Sequence, residues 1–440
     1  MNTSTRACGA WLARAGLSLH SLIGAATIAL LFTGCTAEGQ KQNIAKVRVF
    51  NAVFASPGVK VSVPEKELAN GLAYEGRTGY VDLTSGVIPF TVTSASGEKL
   101  AEANFTLGNE RPATFVVTGI GTTLGGLLFD DQVSPPQDGR VRVRFAHAAS
   151  GVIPLDAYLT RPADDIATLF PTYSAQLGLF TNFSEFNADT YILRMTISGT
   201  KDVVYQSDPI VMASREMLTL LAYSSGSNRM VTAAKLSHGS DGAITTLPTK
   251  VARVRVANAV TAPIDVLLDA VSQSTNIAQA AYSNGFNATG GAPRTLRIDA
   301  NATAGTPLAS GAFTFTPGRD YTILAMGSGT SATLTQFLDN SLSATGGTRI
   351  RMRLINAVIG GEAAELKLGT TLLSTAAPGA AGAYSEFDVG TFDLTVTGTG
   401  TGASYFSLPQ RVYTAAEYNI RYAVLVTGTP GDIKAAVVAE

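Results

Sequence analysis

Val47-Arg48-Val49-Phe50-Asn51-Ala52 returns three times along the chain. The copies are Val143-Arg144-Phe145-Ala146-His147-Ala148, Val254-Arg255-Val256-Ala257-Asn258-Ala259 and Met352-Arg353-Leu354-Ile355-Asn356-Ala357. The pattern is apolar, Arg, apolar, variable, Asn or His, Ala, with a second basic residue two places before each Arg (Lys46, Arg142, Arg253, Arg351). The Asn/His positions lie 96, 111 and 98 residues apart. Such self-similarity sets the domain count before anything else does. A repeat of roughly 95 residues is too long for a solenoid and suits a unit that buries its own core. Four units are expected, at 44–131, 140–236, 251–340 and 348–440.

Each unit follows one plan. The opening strand alternates side chains with period two, as a half-buried strand does. A second strand follows, at Val59–Val63, Leu155–Leu159, Ile264–Leu268 and Ala364–Leu368, with an acid at Asp156, Asp265 or Glu365 and Lys60 in the first unit. A Tyr comes 23 to 28 residues after the Asn/His, at Tyr74, Tyr173, Tyr282 and Tyr384. Six or seven short strands per unit, separated by turn signals such as Pro317-Gly318, point to an antiparallel β-sandwich. No amphipathic helix of three turns is visible, and a short helical turn is expected after Pro162. The junctions 131–139, 237–250 and 341–348 read as linkers, giving a string of beads with limited bending.

Composition narrows the function classes. Hydrophobic residues make up 45% of the chain and charged residues 15%, which is not a disordered profile. The formal net charge is −1, so there is no electrostatic footprint for nucleic acid. Arg6 and Arg14 precede an uncharged apolar run, Leu22 to Phe32, which is short for a membrane span and suits an export signal over residues 1–34. Leu31-Phe32-Thr33-Gly34-Cys35 resembles the bacterial lipobox, with Phe32 where Leu is usual. The resemblance implies lipid on Cys35, a polar tether over 35–43, and a partner in the membrane itself. Thr36 in place of Asp leans, by the same resemblance, to the outer membrane. With Cys35 lipidated and Cys8 in the signal, no disulfide remains, and each unit must be stable through its core.

The opening run, the Pro that follows it (Pro57, Pro154, Pro263) and the acidic second strand resemble a bacterial cell-envelope family. It is known as a domain of unknown function whose members open V-R-V-x-H-A-S-P. Val143 to Leu159 is the closest match, and the fourth unit lacks the Pro. The resemblance implies tandem Ig-like sandwiches on a lipoprotein. It implies no activity.

Few residues carry recognisable chemistry. The recurring Arg is expected on the outward face, paired with the acid of the neighbouring strand; as a functional alternative, four Args along a rod would meet an anionic polymer. His147 stands where the other units have Asn, so turn-locking is expected rather than acid–base work. His238 falls in linker-like sequence. There is no nucleophile elbow, zincin motif or CxxC pair, and the acid pairs Asp130-Asp131 and Asp164-Asp165 lack a calcium-loop pattern. No catalytic residue, metal or cofactor is expected. The second unit alone has an additional segment, bearing Phe170, Tyr173, Phe180, Phe183 and Phe186. Such aromatics either cap the sandwich or form a binding platform. The leading expectation is a non-enzymatic, lipid-anchored envelope protein acting as spacer, scaffold or adhesion module. The alternative is a carbohydrate- or envelope-polymer-binding protein using those loops, its partner an envelope protein or polysaccharide.

Overall fold

Alternation along the opening stretch makes it a strand, β1 (Ile44–Asn51), and the rest of the first unit follows as β2 (Val59–Val63), β3 (Lys66–Leu72), β4 (Val81–Thr84), β5 (Gly86–Ser94), β6 (Lys99–Leu107), β7 (Pro112–Ile120) and β8 (Thr123–Asp130). The computed structural model describes residues 43–439 apart from 55, 57, 121–122, 133, 151–153, 227–229, 240–241, 302–304, 340–348, 415–416 and 418–419. The export signal, Cys35, the tether up to residue 42 and the 341–348 junction lie outside the described residues.

Two sheets, ordered β4-β1-β7-β8 and β3-β2-β5-β6, face each other across a core containing Val47, Val49, Val61, Phe90, Val92, Phe115 and Val117. Phe90, Phe105 and Phe115 interlock there, with ring centroids 4.6–5.6 Å apart. The plan repeats, so the chain is all-β, with eight sheets in sandwich-like units among the described residues. The second unit opens with β9 (Arg140–Ala148) and β10 (Leu155–Thr160). The third and fourth open with Val251–Val260 and Arg349–Val358. The expected helical turn is a single 3-10 turn, Ile166–Thr168, capped by Asp165, whose side chain accepts from Ala167 N.

Three features depart from expectation. Each opening strand pairs in parallel with a later strand of its own sheet: β1 with β7, β9 with Met217–Ser224, Val251–Val260 with Asp320–Ser328, and Arg349–Val358 with Arg421–Thr429. Alternation of side chains is blind to strand direction, so the sequence offered no warning. Among the described residues the units hold eight to ten strands, several of them only two to four residues long. The 237–250 stretch is no loose linker either. Ile244–Leu247 adds a strand to the sheet of the second unit, and Asn43–Glu440 forms one compact body.

The Asn or His at the end of each opening strand is fully buried. Asn51 Oδ1 accepts from Val53 N at 3.0 Å and its Nδ2 donates to Leu72 O. Asn258 repeats this with Val260 N, Ala262 O and Ile277 O, and Asn356 with Val358 N, Glu362 O and Ala376 O. In the second unit His147 Nδ1 accepts from Ala149 N at 3.2 Å. The turn-locking expectation holds: one side chain fastens the exit of the opening strand to the end of the neighbouring hairpin. Asn258→Ala would leave a buried N–H and two carbonyls unpaired. The expected loss is about 3 kcal/mol, read as a lower urea midpoint; an unchanged midpoint would refute the lock.

Candidate functional site: buried seams between units

The opening strand is buried on both faces, and this decides where its Arg goes. Val47, Val49 and Asn51 face the core of the first unit, while Arg48, Phe50 and Ala52 face the second unit. The second apolar cluster joins Phe50, Ala52 and Val116 to Ala146, Ala148, Leu221, Tyr223 and Ala234. Its counterpart joins Ala257, Ala259 and Leu324 of the third unit to Ile355, Ala357, Ala423 and Leu425 of the fourth. The variable and Ala positions of the motif are therefore seam positions, small or apolar so that two sheets can approach. The expected string of beads is instead a set of units pressed face to face.

The expectation of an outward Arg fails with it. Arg48, Arg144 and Arg353 are buried, at 3%, 6% and 2% exposure. The second-strand acids are occupied elsewhere. Asp156 accepts from Ser174, Ser198 and Gly199, Asp265 from Asn276 and Asn301, and Glu365 pairs with Lys367. The basic residue two places before each Arg does take the edge role, as Lys46–Asp82, Arg142–Glu185 and Arg351–Glu386. In the third unit that acid is replaced by Asn287, and Arg253 turns to Asp320.

Asp131 is the acceptor at the centre of the first seam. Arg48 Nε donates to Thr114 Oγ1 at 2.8 Å, and Thr114 donates to Asp131 Oδ2 at 2.6 Å. From the second unit, Arg144 Nε donates to Thr219 Oγ1 at 2.7 Å, Thr219 lies 2.7 Å from His238 Nε2, and His238 Nδ1 lies 2.7 Å from Asp131 Oδ1. Every donor finds an acceptor if His238 is neutral with its proton on Nδ1. Arg48 also reaches Ser237 O and Gly242 O across the seam. The second seam uses the same parts. Arg255 donates to Thr322 (3.0 Å) and Thr322 to Asp339 (2.9 Å), while Arg353 crosses to Asp339 (2.6 Å) and Arg421 to Asp320 (3.2 Å).

An aromatic ring covers each Arg: Tyr80 over Arg48, Phe180 and Phe183 over Arg144, Tyr282 over Arg255 and Tyr384 over Arg353, at 4.5–5.2 Å. Such contacts partly replace the lost hydration. They also account for the additional segment of the second unit. Phe180 bridges Ala146 as Tyr282 bridges Ala257, so Phe180 is the counterpart of Tyr282. Tyr173, grouped with the recurring tyrosines from its spacing, instead enters the core, its hydroxyl donating to Val143 O at 2.7 Å. Phe186 packs beside it. Phe170 stands 93% exposed and Phe180 about half exposed. The five aromatics do not converge on one face.

Asp131, His238 and Thr219 have the spacing of a proton-relay triad. All three are closed to solvent, and the Thr219 hydroxyl already holds Arg144. This arrangement locks a seam and gives a substrate no access to the hydroxyl. Sequence reading placed His238 in a linker and missed it. The available signal was positional: Asp131, His238 and Asp339 each close the last main strand of their unit. Asp164 and Asp165 cap backbone N–H groups beside the 3-10 turn. Among the described residues no group of three His, Cys, Asp or Glu could hold a metal ion, and no helix is long and apolar enough to cross a membrane.

Burial penalises the charge of Asp339, but Arg353, Arg255 and Arg421 outweigh it and hold its carboxyl below the usual range. Burial likewise pushes the His238 imidazole below 6.5, helped by Arg144 and Arg48 against the pull of Asp131. A depressed imidazole means that the unfolded chain binds the proton more readily, so stability falls as pH drops below about 6.5. Urea midpoints between about pH 8 and pH 5.5 should show that slope, and His238→Gln should flatten it. Asp339→Ala leaves the buried Arg353 guanidinium without its acid and should cost about 3–5 kcal/mol. Asp82→Ala, at an exposed pair, should cost under about 1 kcal/mol. Equal effects of the two on the unfolding midpoint would contradict the seam assignment.

The comparisons follow the same geometry. The model of a domain of unknown function (DUF4397) matches residues 45–158 and 252–363. Each match begins in the opening strand of an odd-numbered unit and runs past the opening strand of the next, so each spans the two Arg strands of one seam. No curated protein matches. Among solved structures, a Bacteroides eggerthii protein whose suggested role is cell adhesion matches at 11% identity over 69% of this chain and 96% of that one, with a TM-score of 0.15. A superposition that loose carries no argument about fold or function. The two family matches together cover half of the sequence, and the chain belongs to the DUF4397 family of domains of unknown function.

Proposed function

We propose that the protein is a non-enzymatic, lipid-anchored component of the bacterial cell envelope, serving as a scaffold or adhesion module held through Cys35. The observation that carries this reading is the double burial of the opening strands. It presses neighbouring units together within one compact body, Asn43–Glu440, which suits a scaffold or adhesion module. The lipobox-like Leu31-Phe32-Thr33-Gly34-Cys35 supports attachment by lipid, and Thr36 after it supports the outer membrane. The polymer-binding alternative draws little from the second unit's aromatics, since Tyr173, Phe183 and Phe186 serve the core and the seam.

Membrane fractionation tests the anchor. Cys35→Ser is expected to move the protein from the membrane to the soluble fraction. Membrane association that survives the substitution would overturn the lipid reading.

A further inference from the structure

Units 1, 2 and 3 meet around a cleft of about 420 Å³, within the size class of small-ligand sites. Unit 1 contributes Phe54, Tyr74 and Glu75, unit 2 contributes Asp208 and Ser225, and the segment entering unit 3 contributes Lys250. The aromatic wall is held in place. Phe54 and Tyr74 pack edge to face at 5.4 Å, Tyr74 leans on Tyr223 at 5.9 Å, and the Tyr74 hydroxyl donates to Ser224 O at 2.9 Å. Asp208 and Lys250 neutralise each other at 2.9 Å.

Two features set this cleft apart from the corresponding places in the other units. The first is Glu75, whose backbone is left-handed at φ 61°. Its N–H donates to Asn51 O, the turn that recurs in every unit. Gly178, Ala280 and Gly379 take the same position and the same bond, to His147, Asn258 and Asn356. Glycine suits that conformation, and only unit 1 places a carboxylate on it. Tyr223 donates to the carboxylate at 2.7 Å and steers it. The second is Ser225, whose Oγ is buried with no hydrogen-bond partner among the described residues. A buried hydroxyl of that kind calls for a partner from outside.

An aromatic wall, a steered carboxylate acceptor, an unsatisfied hydroxyl and a self-neutralised ion pair suit a ligand rich in hydroxyls, with apolar C–H faces and no charge. We propose that this cleft binds a neutral saccharide unit. The inference does not depend on lipidation of Cys35.

The test is calorimetric titration of the full-length protein with N-acetylglucosamine trimer, maltotriose and cellotriose, and with choline as a cationic probe. Binding of at least one of the three sugars is expected. Glu75→Gln keeps an acceptor for the buried Tyr223 hydroxyl while removing the carboxylate charge, and Ser225→Ala removes an unsatisfied group, so both should leave the unfolding midpoint unchanged or higher. Both should weaken sugar binding by about tenfold. Failure of all three sugars to bind, binding of choline in their place, or undiminished affinity in both variants would overturn the proposal.

Discussion

A guanidinium group buried between two β-sheets is the constraint to which most of this structure answers. Removing Arg from water is expensive unless its donors are met and its charge is faced by an acid. Each seam answers most of these donors, and one of its two units supplies the acid that faces them. A Thr on the parallel partner strand takes Nε in three of the four units, an aromatic ring lies over the plane, and an Asp closing a neighbouring strand supplies the charge. Remove the parallel pairing of β1 with β7, and Thr114 no longer stands beside Arg48. Remove the second unit, and Arg48, Phe50 and Ala52 lose the surface that covers them.

The charges are distributed unequally between the seams, and this bears on which units pair. In the first, one acid of unit 1 is shared by Arg48 and a neutral His238. In the second, both acids come from unit 3, and Arg353 and Arg421 come from unit 4. Arg421 and Asp320 occupy equivalent places beside Arg351 and Arg253. Pressing unit 2 against unit 4 would bring Arg144, Arg353 and Arg421 together without Asp131, Asp320 or Asp339, leaving three buried guanidinium groups with no acid to face them. Buried ion pairs contribute little net stability, but unpaired buried charges are costly, and that asymmetry selects partners.

Core-facing residues were legible because period two reports them directly. Val47, Val49 and Val61 fell inward as expected, and so did the Asn/His lock, since a polar residue ending an apolar row must find backbone partners. The Arg was misread for a related reason. Val-Arg-Val resembles a strand with one wet face, and nothing local says that Arg48 lies beneath a second sheet. The aromatic segment of the second unit was readable as an insertion. That Phe180 replaces the recurring Tyr, while Tyr173 enters the core, depends on a bridge to Ala146 that spacing could not distinguish.

Repetition, strand periodicity and composition were enough to establish an all-β chain of similar units, since these follow from local alternation and from self-similarity. Which strands run parallel, which units pair and whether a charged side chain meets water are decided by surfaces brought together across 66 to 194 residues of chain, as in the contacts of Arg48. A local pattern records what one strand offers its own sheet. It carries no record of the second sheet that covers it, and here that covering makes the seams, the buried triad and the three-unit cleft.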